Sequence, residues 1–266
     1  MDIIANYGNV LLILAIVFGT FMAWGIGAND VANAMGTSVG SGAVTIKQAI
    51  IIAVIFEFAG AILAGGEVTA TIRKGILDAE LFTNEPHLLV YGMMASLLAA
   101  GSWLLIASSL GWPVSTTHSI VGAIVGFGAV GVGIDAVAWS KVFQIIISWI
   151  ASPVLAGIIS FILFRSLQNL IIDTQNPFDN AKKYVPYYMF LVGFVVSLVT
   201  IFKGLKHVGL SFSTSSSYLL ALGSGLLVAI IGTLMIRNIH LNPDENKDFS
   251  FASMERVFGV LMIITA

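Results

Sequence analysis

Gly25-Ile26-Gly27-Ala28-Asn29-Asp30-Val31-Ala32-Asn33-Ala34-Met35-Gly36-Thr37 sets one carboxylate and two carboxamides at the far end of an apolar run. Asp30 is the first charged side chain after Asp2, and residues 3–29 are uncharged and mostly apolar. At about 1.5 Å per residue a helix of that length crosses a hydrocarbon core about 30 Å thick, so Asp30 lies at or inside a membrane. In a helix, Asp30, Asn33 and Thr37 share one face, while Ala28, Ala32, Gly36 and Gly40 form a groove for a neighbouring helix. A carboxylate at that depth costs several kcal/mol unless it is paired or binds a cation, which makes this face a ligand face. On spacing alone, the other reading is a helix cap just past the membrane.

Composition agrees with a bilayer as the solvent. Hydrophobic residues make up 58% of the 266 and charged residues 10%, against about 25% charged in soluble domains, and mean hydropathy is +0.97. A net charge of -2 gives no reason to expect a nucleic-acid partner. The absence of cysteine excludes disulfides, thiolate metal sites and thiol nucleophiles. Residues 1–24 lack a basic leader and a small-residue cleavage site, so the first helix is expected to be retained.

Further along, residues 48–66 form a second span whose only charge is Glu57, near its middle. Glu67, Arg73, Lys74, Asp78, Glu80 and Glu85 read as a polar loop. From Pro86 to Ile134 there is no Asp, Glu, Lys or Arg, well over twice what one span needs, so this run enters the membrane more than once. Gly111-Trp112-Pro113-Val114-Ser115-Thr116-Thr117-His118-Ser119 interrupts it, and Pro113 followed by hydroxyl residues reads as a helix break and restart. Ser115 or Thr116 is the expected N-cap, with free N–H groups beyond it that attract anions. The segment 111–134 is therefore expected as a re-entrant hairpin, with an interfacial turn as the other reading.

His118 is a proton carrier, an anion ligand or a residue satisfied by a nearby carbonyl. Residues 142–164 form a span containing Pro153, 165–184 a polar connector, and 184–202 and 208–236 two more spans. The hydroxyl run 211–217 reads as a loop and helix start, and Asn242 to Asp248 as a water-exposed loop. An enzyme alternative, a membrane hydrolase using Asp30 or Glu57 with His118, has no zinc-ligand spacing behind it, so an enzyme is not expected.

Three motifs in order, Gly27-Ala28-Asn29-Asp30-Val31-Ala32-Asn33-Ala34 with Gly36-Thr37-Ser38-Val39-Gly40, then Thr71-Ile72-Arg73-Lys74-Gly75-Ile76, then residues 111–119, resemble the inorganic phosphate transporter (PiT) family over residues 10–135. The resemblance implies an all-α polytopic protein of the cell membrane, an inverted-repeat transporter with broken helices and a re-entrant helical hairpin. It implies phosphate carried with sodium by alternating access, or with protons. Residues 1–164 then form the first repeat, 165–256 a connector with additional transmembrane helices, and 257–266 the start of a second repeat.

Oxygen ligands for the coupling ion, Na+, are expected from Asp30, Asn33, Asn29 and unwound carbonyls nearby. Donors for inorganic phosphate are expected from Ser115, Thr116, Thr117 and Asn33, with Glu57 and His118 as candidates for coupling; no organic cofactor is expected. Hydroxyl and N–H donors suit any tetrahedral oxyanion, so sulfate stays open. The partners this reading implies are the lipid bilayer, a downstream half of the same transporter and a homodimer. If the hairpin does not cross the membrane, the positive-inside rule puts the N-terminus in the cytoplasm, whereas the resemblance implies external termini.

Overall fold

The computed structural model describes residues 3–77, 79–83, 85–205, 210, 212–240 and 251–265. Asp78, Ser211 and the loop from Asn242 to Asp248, all given roles above, lie outside the described residues. The described residues contain no strand, and six helices are long and apolar enough to cross a membrane. This is a multi-pass, all-α membrane protein.

Helix α1, Ile3–Gly40, runs without a break through the Asn-Asp stretch. The unwound carbonyls expected beside Asp30 are therefore not there. Ala28, Ala32 and Ala34 favour helix, and the side chains of Asn29 and Asn33 bond away from their own backbone, so neither competes with the helical ladder. Helix α2, Ile46–Gly75, carries Glu67, Arg73 and Lys74 in its last turns, so the expected polar loop begins only after Gly75.

Helix α3, Pro86–Ser109, has proline in its first turn, where a missing N–H costs nothing. The chain turns at Gly111, whose φ of +68° is a left-handed conformation that glycine adopts without a Cβ clash. Helix α4, Thr116–Phe127, then starts on Ser115, whose Oγ accepts from the His118 N–H, and ends in a π-turn, Gly128–Val132. The expected break, restart and Ser115 cap are all present, and α3 packs on α4 as a helical hairpin.

Helix α5, Trp139–Leu167, contains Pro153. The connector expected over 165–184 is mostly helical: α5 passes into a π-turn, Gln168–Ile172, and α6, Pro177–Val199, starts on its own proline. Helix α7, Thr214–Arg237, starts on Ser213, which accepts from the Ser216 N–H, as the hydroxyl run suggested. Helix α8 spans Phe251–Thr265.

The chain forms two compact units. The first, Met1–Ala34 with Val68–Ile150, centres on Met22, Ile76, Leu104, Ile120, Ile124 and Val137. The Ala138 N–H donates to the Ile76 carbonyl at 2.9 Å, tying the residue after α2 to the residue before α5. The second, Met35–Glu67 with Ala151–Ala266, packs α6 against α7 and α8 around Ile171, Val185, Met189, Ile236 and Val257. Lys182 donates to the carbonyls of Arg237 and Ile239 at 3.3 and 2.8 Å, placing a cation on the negative end of α7.

Glycine sets the closeness of α6 and α7. A Cβ on Gly193 would lie 3.2 Å from the Gly225 Cα, and one on Gly225 3.0 Å from the Phe190 carbonyl oxygen. Backbone cannot rotate aside as a side chain can, so Gly225→Ala is expected to cost about 1–3 kcal/mol by overpacking. The measurement is circular dichroism on heating in detergent; an unchanged midpoint would mean that the helices separate at no cost.

Candidate functional site

The candidate site is built from one face of α1 and the hairpin tip, both in the first unit. Asn29 is the buried member, 5% exposed. Its Nδ2 donates to the Trp112 carbonyl at 3.1 Å and reaches the Ser108 hydroxyl at 3.5 Å. Its Oδ1 accepts from the Val114 N–H at 3.4 Å and from Asn33 Nδ2 at 3.0 Å. The amide thus fastens residues 112–114, the irregular backbone of the tip, to α1, supplying partners to peptide groups that lack a helical one.

One residue on, the Asp30 carboxylate accepts from the Thr116 hydroxyl at 3.1 Å. Asp30 is half-buried, and no Lys or Arg bonds it among the described residues. Two consecutive residues of α1 therefore hold both sides of the helix restart, Asn29 before Ser115 and Asp30 after it. Ser115 is spent on capping α4. Beyond the cap, the N–H groups of Thr116 and Thr117 have no described bond, as expected in the first turn of a helix. Thr117 is exposed and its hydroxyl has no described bond either.

Thr116 and Thr117 line a cavity of about 300 Å³ whose other walls include Met22, Ile26, Leu97 and Ile120. Those apolar walls offer an anion nothing, so the donors of the two threonines are what a polar ligand meets. The expected ligands Asn29, Asp30, Asn33, Ser115, Thr116 and Thr117 are thus brought onto two adjoining elements. His118 lies elsewhere on the first turn of α4, its ring against Trp149 with centroids 3.8 Å apart. Glu57 stands exposed on α2 in the second unit and makes no described hydrogen bond. Ser108 and Trp149 were not singled out by sequence reasoning: a serine within an apolar helix and a lone tryptophan carry no spacing signal.

The sequence profile of the phosphate transporter family matches residues 26–266. Over all 266 residues the chain is 50% identical to an inferred phosphate permease of Haemophilus influenzae, covering 63% of that protein. It is 49% identical over 183 residues to a chloroplastic inorganic phosphate transporter of Arabidopsis thaliana, covering 69% of this chain and 31% of that one. A solved structure of a sodium-dependent phosphate transporter superposes with a TM-score of 0.84 at 39% identity, over 94% of this chain and 60% of the other. The chain thus spans about three fifths of the length of the bacterial relative and of the solved structure. All three are transporters or permeases by name, in line with the expectation of a carrier and not an enzyme.

Proposed function

We propose that this chain, which belongs to the phosphate transporter family, carries inorganic phosphate across a membrane by alternating access, coupled to sodium as co-substrate. The observation that carries the reading is the 3.1 Å hydrogen bond between Asp30 and Thr116, which sets a carboxylate against the positive end of α4. A carboxylate calls for a cation, and free N–H and hydroxyl donors call for an anion. Placing both ions within one cluster lowers the cost of removing water from each, since each supplies part of the other's lost solvation.

The cation is held by Asp30 and the Asn33 carbonyl oxygen, and the phosphate by the N–H groups and hydroxyls of Thr116 and Thr117, with Ser115 holding the helix end in place. The repeat organisation expected above, with 1–164 as the first transport repeat, belongs to this proposal. The name of the solved sodium-dependent relative supports sodium over protons as the driving ion.

The experiment is radiolabelled phosphate uptake into vesicles containing the protein, driven in turn by an inward sodium gradient and by a proton gradient, with unlabelled sulfate as competitor. Uptake is expected with sodium alone and unaffected by sulfate. Uptake that follows the proton gradient without sodium would overturn the coupling, and displacement by equimolar sulfate would overturn the substrate.

A further inference from the structure

We propose that Asn29 is a positioning residue for the cation site, fixing which end of the Asn33 carboxamide faces the ligand. This rests on the assignment of Asn33 as a cation ligand. A carboxamide has an acceptor end and a donor end of nearly equal shape, and only the oxygen can hold a metal cation. An exposed Asn33 left to itself would present either end.

The polarity is set by backbone atoms that have no choice. The Val114 N–H can only donate and the Trp112 carbonyl can only accept, so Asn29 must turn Oδ1 to the first and Nδ2 to the second. That leaves one lone pair on Asn29 Oδ1, which takes Asn33 Nδ2 at 3.0 Å. Asn33 Oδ1 is thereby turned away from Asn29, and it makes no described hydrogen bond. A flip of Asn33 would set its NH2 against the cation and leave Asn29 Oδ1 facing another oxygen.

The same bonds remove Asn29 from the first coordination sphere. Both lone pairs of its Oδ1 are in use, and the residue is 5% exposed. A cation could recruit that oxygen only by releasing the Val114 N–H or the Asn33 amide. Asn29 therefore acts on the cation through Asn33, and the hydrogen-bond polarity of the hairpin tip is passed to a side chain on the neighbouring turn of α1.

A double-mutant cycle tests this, because a carboxylate presents oxygen at both ends and needs no orienting. Sodium half-saturation and maximal rate of phosphate uptake are measured for Asn29→Ala in the native background and in Asn33→Asp. Asn29→Ser, which keeps a small polar side chain at the buried position, is run in parallel should the alanine variant fail to assemble. In the native background the half-saturating sodium concentration is expected to rise about tenfold, and in Asn33→Asp by less than about twofold, a coupling characteristic of residues in one network. An equal factor in both backgrounds would overturn the inference, leaving Asn29 as a fastener of the hairpin only. Unaltered sodium dependence in Asn33→Ala would instead remove the cation-site reading itself, and this inference with it.

Discussion

Asp30→Asn is expected to reduce sodium-stimulated phosphate uptake to background while leaving a folded, inserted protein. The substitution keeps size and shape, and an amide oxygen can still accept from the Thr116 hydroxyl now 3.1 Å from the carboxylate. What is lost is the only formal negative charge in the cluster. Bringing a cation to a poorly hydrated site without an opposing charge costs several kcal/mol, roughly hundredfold or more in binding. Initial uptake rates over a range of sodium concentrations, with a thermal unfolding curve in detergent beside them, separate loss of function from loss of fold. A variant that kept the wild-type sodium dependence would remove Asp30 from the coupling machinery.

The second large effect divides between two neighbouring threonines. The Thr117 hydroxyl is free, so Thr117→Val takes a donor from the anion and nothing from the cation. Losing a donor to a charged ligand costs about 1.5–3 kcal/mol, so the half-saturating phosphate concentration should rise roughly ten- to hundredfold with sodium dependence unchanged. Thr116→Val, by contrast, also strips Asp30 of its hydrogen-bond partner and should move both titrations. Matched phosphate and sodium titrations on the two valine variants provide the check. Equal effects on both ions in Thr117→Val would place the anion away from the exposed side of this helix end.

The parts of this fold legible in the sequence are those governed by solvent and by local chemistry. The bilayer read as residues 3–29 without a charge, and the hairpin tip as Gly111 and Pro113 flanking a reversal, because positive φ and a missing N–H act within a few residues. Ser115 as N-cap belongs to the same class. The Asn-Asp stretch was readable as a ligand face, but its backbone was not: whether α1 unwinds beside Asp30 depends on where the amides of Asn29 and Asn33 find partners. Those partners lie 79 to 85 residues away for Asn29, beyond the reach of any spacing rule. The connector over 165–184 misled for a related reason, since charged side chains on helix ends look like loop when only hydropathy is counted.

Gly193 and Gly225 have a further consequence for how this protein can change over generations. Contacting positions ordinarily reveal themselves by compensation, one side chain shrinking as the other grows. Between these two glycines no such exchange exists, because a methyl gained at Gly193 meets the Cα of a residue that has nothing left to trim. Each position is therefore expected to be constrained on its own account, and this contact between α6 and α7 should leave almost no correlated variation among descendants. Searches for contacts by covariation would pass over this contact between α6 and α7, while Val228, whose Cγ2 stands 2.9 Å from the same point and can be trimmed, would carry the little signal there is.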